Sequence, residues 1–131
     1  MEKRLYQRVL VGLTSNFIVQ NNQPGFREFT GIIDDLSENG IKISVSDSNY
    51  SHIVEKLKVG DKISFQTLDE YEIYGELRTD IFSGDAEVIR IDNDGADIII
   101  GCKVYKSSKE FDEYVKNKKM ALFMKHGCRL I

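Results

Sequence analysis

Two arginines four positions apart, Arg4 and Arg8, stand in the segment Arg4-Leu5-Tyr6-Gln7-Arg8, ahead of the first strand-like run. Each guanidinium is a permanently charged planar fork that pairs bidentately with phosphate oxygens or with the O6/N7 edge of guanine. Two of them this close can converge on one anionic ligand, and they also fit a solubilising charged terminus. A second segment, Asp35-Leu36-Ser37-Glu38-Asn39-Gly40, lies at a strand-to-strand connection. Asn-Gly favours a hairpin turn, and an Asp or Ser just before it can cap the turn's own amides. Read chemically, Asp35 is an acceptor for a ligand's N–H groups and Ser37 offers a hydroxyl to a base or phosphate. Gly40 would let the backbone turn tightly with no Cβ in the way. An acceptor beside arginine forks is what a guanine edge plus a phosphate requires.

Catalytic and metal chemistry is poorly served. The histidines are His52, in a connection, and His126, near the end of a helical pattern, and neither has a Cys, Asp or Glu at a recognised ligand or triad spacing. Both read as surface histidines. Cys102 follows the apolar run Ile98-Ile99-Ile100 and reads as a small core residue, and Cys102 and Cys128 read as free thiols. No glycine-rich loop joins a strand to a helix, so neither phosphate-loop nor dinucleotide fingerprint is present. Asp34 and Asp35 are adjacent, and neighbours on a strand face opposite sides, so they do not read as a glycosidase pair. The expectation is a protein without a catalytic centre, metal or cofactor.

The chain has 131 residues, 41% hydrophobic and 30% charged, with a net charge of −3. That is one domain's worth, able to bury roughly two-thirds of the surface its unfolded chain exposes. The charge is unevenly placed: positions 9–100 hold seven basic and 17 acidic residues, whereas positions 101–131 hold eight basic and three acidic. An acidic body argues against a DNA or RNA coat, against a polybasic membrane binder, and against an OB-like barrel for single strands. No apolar run approaches the ~18 residues of a membrane span, and Met-Glu-Lys-Arg leads into no signal-peptide core. A cytoplasmic domain is expected.

The elements that must carry the two segments are mainly strands. Val9, Val11, Leu13, Phe17 and Val19 alternate, Asn21-Asn22-Gln23-Pro24-Gly25 reads as a turn, and Phe26 to Ile33 forms a second run. Ile41, Ile43 and Val45 follow the Asn39-Gly40 break, and residues 46–58 read as a connection with one or two helical turns. Further strands are expected after Gly60-Asp61, Asp69-Glu70, Ser83-Gly84 and Asn93-Asp94-Gly95, about seven in all, which is the pattern of an antiparallel barrel or sandwich. Ser107-Ser108-Lys109-Glu110 fits a capping box with Ser107 as N-cap. A helix over about 108–126 follows, its Phe111/Val115/Leu122 stripe laid on the barrel and Gly127 as its stop. The run Met120-Ala121-Leu122-Phe123-Met124 exceeds one helical face, so it is either covered by the barrel or an exposed partner surface.

The order of these features, R-x-x-x-R, then Asp-x-Ser-x-x-Gly with Asp35 27 positions after Arg8, then a β-rich body and a terminal helix, resembles the PilZ domain family. Gly31 stands four before Asp35, as in that family's G-x-x-x-D-[IL]-S pattern. Leu57-Lys58-Val59-Gly60-Asp61 resembles its L-x-x-G-D segment, and Gly101-Cys102-Lys103-Val104 its G-x-x-[FV] strand. Asn39 departs from a second glycine common at that position, and asparagine tolerates the same conformations. The resemblance implies a mainly β fold, an antiparallel barrel of six to seven strands with a C-terminal α-helix. Residues 1–10 would be a mobile ligand-binding arm and residues 11–131 the barrel and helix of a stand-alone domain. It implies a non-catalytic receptor for the bacterial second messenger cyclic di-GMP, with Arg4 and Arg8 closing over ligand held by Asp35, Ser37 and Gly40. A downstream protein partner, in motility, biofilm or virulence control, would read the ligand, with the C-terminal helix a possible contact. The alternative is a structural adaptor of pilus or motility machinery that binds no nucleotide.

Overall fold

The computed structural model describes residues 9–20, 27–46 and 52–127. Alternation becomes strands: Val9–Gln20 (β1), Glu28–Ser37 (β2), Gly40–Val45 (β3), Lys62–Ile73 (β4), Glu76–Asp94 (β5) and Asp97–Ser107 (β6). Their order is β1-β2-β3-β6-β5-β4, every pairing is antiparallel, and β4 returns to β1 to close a barrel. Closure gives each strand a hydrogen-bonded neighbour on both sides. The inward positions form one core, with Phe17, Ile33, Leu36, Ile43, Ile63 and Ile100 fully buried. A one-turn helix, His52–Glu55 (α1), sits in the β3–β4 connection, where Val54 and Leu57 are buried.

The second helix, Lys109–Gly127 (α2), covers the barrel at its β5 side. Phe111 and Val115 are fully buried, and the Phe111 ring meets Phe65 edge-on at 5.7 Å and Phe82 at 5.6 Å. Tyr114 joins them, stacked on Phe82 at 4.4 Å. The helix starts one residue later than the capping-box reading. Ser108, not Ser107, is the N-cap: its Oγ accepts from the Phe111 N–H at 3.0 Å and from the Ser83 N–H at 3.2 Å. Met120 and Ala121 are exposed; the side chains of Leu122 to Met124, like the Asn21–Gly25 turn and Cys128, lie outside the described residues.

Two turn readings are corrected. Ser83-Gly84 is no turn, because residues 76–94 run as one 19-residue strand. Gly84 is needed for space instead: a Cβ there would stand 2.8 Å from Phe65 Cζ and 3.0 Å from the Lys106 carbonyl oxygen. Asp69-Glu70 likewise lies within β4. The turn that joins β4 to β5 is Tyr74-Gly75, at φ 52° and 80°, the positive pair that a two-residue type I′ hairpin requires. Merging two expected strands into β5 gives six strands rather than seven.

Candidate functional site

Asp35 and Ser37 close β2, Glu38 and Asn39 make the turn, and Gly40 opens β3 opposite Ser37. The turn is therefore one residue earlier than Asn-Gly suggests. Leu36, between the two polar residues, is fully buried in the core, so Asp35 and Ser37 share the outer side of the barrel wall. Both are nonetheless buried, Asp35 8% and Ser37 2% exposed, which is unusual for polar groups on a wall. Just before them the register slips. Asp34 is an extra residue of β2 relative to β3 and, with Val11 and Gly12 opposite, part of a bulge against β1. Gly12 takes φ 74° there. Because of this bulge Ile33 and Leu36, three apart, both point inward, and Asp34 falls on the outer side beside Asp35. The strict alternation expected of Asp34 and Asp35 fails at that point. Asp34 accepts a hydrogen bond from the Ser44 hydroxyl at 3.0 Å.

Contacts from three elements hold the turn. Ser37 Oγ donates to Asn39 Oδ1 at 3.3 Å, and the Val104 N–H of β6 donates to the Asn39 carbonyl at 3.0 Å. From α2, Lys119 Nζ donates to both carboxylate oxygens of Glu38, at 2.6 and 2.7 Å. Burial by itself raises the Glu38 pKa, but the Lys119 hydrogen bond, a bond from its own backbone N–H and the lysine's charge outweigh it. The carboxyl is held below its ordinary value. The one acidic side chain in the turn itself is thus neutralised by a helix that begins 71 positions later in the chain. Nothing in the sequence marks that pairing.

Around the turn, the start of β1 lies alongside: Val9 pairs with Leu36 and Leu10 with Asp35. The chain that carries Arg4 and Arg8 enters the barrel at this point; the two arginines lie outside the described residues. On the other side Lys42 is the partner of Asp35, and Lys103 of β6 is the partner of Gly40. Lys42 could have been found from sequence, two places after Gly40 on the same face. Lys103 could not, since only the β3–β6 pairing brings it there. Among the described residues no three His, Cys, Asp or Glu side chains are grouped to hold a metal ion. Cys102 is buried and its thiol is pushed up to about 12 by desolvation, so it is no nucleophile. Among the described residues no helix is long and apolar enough to cross a membrane.

The same barrel recurs in solved structures. The inhibitor of motility from Bacillus subtilis (MotI/DgrA) superposes with a TM-score of 0.63 at 15% identity, over 96% of this chain and 54% of its own. The PilZ domain of YcgR from Escherichia coli with c-di-GMP gives 0.59 at 14% identity, over 95% of this chain and 97% of its own. PlzA of Borreliella burgdorferi in complex with c-di-GMP gives 0.51 at 10% identity, over 92% of this chain and 52% of its own. The chain thus spans about half the length of the first and third. No curated protein matches it in sequence. At such identities the structures establish the fold, and the family comes from the sequence. The model of the PilZ domain matches residues 2–116, from the arginine segment through all six strands into α2, and the chain belongs to that family.

Proposed function

We propose that this PilZ domain is a non-catalytic receptor for cyclic di-GMP. The observation that carries the reading is the pairing of Asp35 and Ser37, two buried polar side chains on the outer wall at the Asp-x-Ser-x-x-Gly turn, with the start of β1 beside them. Asp35 would accept from the N–H groups of a guanine, Ser37 would serve its edge or a phosphate, and Gly40 would leave the ligand's path open. Arg4 and Arg8 would reach the phosphates and the guanine edge from the segment that precedes β1. Two of the similar structures, those of YcgR and PlzA, hold c-di-GMP, which supports the same ligand class here.

The energetics are adequate. Charge-assisted hydrogen bonds contribute roughly 1.5–3 kcal/mol each, so four to six of them are comparable with the cost of ordering a short arm at about 1–2 kcal/mol per residue. The acidic body repels a dianion, and the basic segment at the start of the chain makes the site locally positive. Ligand closure of that segment would change the surface offered to a downstream protein, in motility, biofilm or virulence control. Calorimetric titration with cyclic di-GMP tests the reading: the wild type is expected to bind at micromolar concentration or better. Arg8→Ala and Asp35→Ala should each weaken binding at least tenfold. No heat with the wild type, or unchanged affinity in both variants, would leave the nucleotide-free adaptor as the reading.

A further inference from the structure

The β4–β5 hairpin runs on past the barrel. The pairing of β1 with β4 stops at Thr67, and that of β6 with β5 begins only at Gly84. Residues 68–73 and 76–83 therefore form a two-stranded ribbon, paired only with each other. Along β5 the edge away from β4 has no strand beside it among the described residues. Ser83 fixes the phase of that edge. Its N–H donates to Ser108 Oγ at 3.2 Å and its carbonyl accepts from the Ser108 N–H at 3.1 Å, so both point away from β4. Direction alternates along an antiparallel strand, so the N–H and C=O of Ile81, Thr79 and Leu77 point the same way. An unpaired row of this kind is a template for another strand.

The second helix turns this edge into one side of a groove. Thr79, Asp80 and Ile81 line it from β5, and Glu110, Glu113 and Asn117 line it from α2. A strand added here would meet different chemistry on its two faces. Phe82 is buried against α2, so Asp80 shares that side, and Leu77 and Ile81 take the outer one. Toward α2 stand the carboxylates of Asp80, Glu110 and Glu113. On the outer side Leu77 and Ile81 are 73% and 52% exposed, and Leu68, the partner of Ile81, is also exposed. Arg78 is the one cation of the ribbon strand on the α2 side, and it lies opposite Tyr71. Under the helix Lys118 answers Asp69 at 3.4 Å, whereas Glu110 and Glu113 on its flank have no ion-pair partner among the described residues. The helix dipole favours an acidic first turn and accounts for Glu110. It accounts neither for Asp80 nor for the open edge.

We infer that this edge takes an extended segment of a partner protein as an added strand, one with basic residues at alternate positions and apolar residues between them. The basic side chains meet Asp80, Glu110 and Glu113, the apolar ones cover Leu77 and Ile81, and the main chain bonds to the free edge of β5. At ~3.4 Å per residue, a segment of about six residues spans it. A second copy of this chain would bring the same excess of carboxylates to the groove and is the poorer occupant. The inference is independent of the cyclic di-GMP reading, since none of these residues belongs to the Asp35 turn or its neighbours.

The probe is a fluorescein-labelled peptide of alternating lysine and valine, about eight residues long. It is titrated against the full chain by fluorescence anisotropy, with thermal melting to show that each variant is folded. The wild type is expected to bind it and to ignore the same peptide with glutamate in place of lysine. Thr79→Pro removes one outward N–H, spares the β4 ladder, and should weaken binding at least about tenfold. Glu110→Gln/Glu113→Gln should weaken it about fivefold and flatten its dependence on salt. N-methylated peptides separate strand addition from charge attraction. Methyl groups on the valine nitrogens block antiparallel addition and those on the lysine nitrogens block parallel addition, so one set should abolish binding and the other spare it. No binding by the wild type, or unchanged binding of both methylated peptides, refutes the inference. If sedimentation instead shows a dimer that Thr79→Pro dissociates, a second copy holds the edge and the inference falls as well.

Discussion

The wall beside the Asp35 turn and the barrel end under α2 belong to one closed barrel and are built by opposite rules. Under α2, glycine appears where packing demands it, as at Gly84 against the Phe65 ring. Charges there are answered within the protein. Lys118 stands 3.4 Å from Asp69 and lies over the rings of Tyr71 and Tyr114 at 5.3 and 5.4 Å. Asp69 also accepts from the Tyr114 hydroxyl at 2.7 Å, and Asp80 from Tyr71 at 2.9 Å. On the wall, a Cβ on Gly101 would meet nothing nearer than Arg90 Cβ, an ordinary contact at 3.7 Å. Lys42 and Lys103 alternate with the buried Ile41, Ile43 and Cys102 and face outward, without an ion-pair partner among the described residues. A region whose groups satisfy one another is explained by folding. Outward groups without such partners, Lys42 and Lys103, are where the cyclic di-GMP proposed above would find its contacts.

The largest effect that tests this contrast is a pair of alanine substitutions. Gly84→Ala pushes a Cβ into an aromatic ring buried in the core and a backbone carbonyl, neither of which yields easily, and should destabilise by about 1–3 kcal/mol. Gly101→Ala meets only ordinary contacts and removes a flexible residue from a strand, so its stability should be unchanged or raised by up to ~1 kcal/mol. Urea unfolding midpoints measure both. Equal losses in the two variants would mean that Gly101 is held by the fold after all, and would break the comparison.

Legibility follows the range of the interactions. The Asp-x-Ser-x-x-Gly turn at the β2–β3 junction, the alternating strands and the terminal helix with Phe111 and Val115 inward were readable because each depends on neighbours in sequence. Ser83-Gly84 misled because a glycine excluded by a ring from another strand looks the same as a turn glycine. Tyr74-Gly75 was missed because tyrosine is a poor predictor of positive φ; it takes φ 52° at a hairpin tip where its side chain is fully exposed. Lys103 and Lys119 reach the site only through the β3–β6 pairing and the packing of α2. No local pattern could bring them together.

The next effect belongs to the satisfied region. Tyr114→Phe removes a hydroxyl whose ring is buried and whose partner, Asp69, is a carboxylate, and should cost about 1–2 kcal/mol at neutral pH. Burial first, then the Asp69 hydrogen bond and the nearby negative charges, raise the Tyr114 pKa above the ordinary 10. The fold therefore favours the protonated hydroxyl. Its contribution is complete below pH 10 and is lost as pH rises through the folded value. Tyr71, raised by its bond to Asp80, and Tyr105, raised by burial, act in the same direction, so some alkaline loss persists in the variant. Unfolding followed from pH 8 to 12 should show the wild type losing stability faster than Tyr114→Phe, the gap between them narrowing. Parallel curves would mean that the hydroxyl is not held as described.

The smallest effect on stability joins the two regions. Lys119 of α2 and Glu38 of the turn form an ion pair whose side chains are 23% and 42% exposed, so Lys119→Ala should change stability by less than ~1 kcal/mol. Glu38's lowered pKa gives the sign with acid: the pair's contribution is present above pH 4.5, the ordinary carboxyl value, and is lost as pH falls below it. Binding is the more sensitive readout. Without the lysine a bare carboxylate stands next to Ser37, and its repulsion of a dianion at surface dielectric, about 0.5–1 kcal/mol, corresponds to a two- to fivefold loss of affinity for cyclic di-GMP. Glu38→Gln in the Lys119→Ala chain removes that charge and should restore wild-type affinity. If it does not, the lysine acts by positioning the turn rather than by neutralising it. The division between a fold-satisfied end and a ligand-facing wall would then run through α2 instead of beside it.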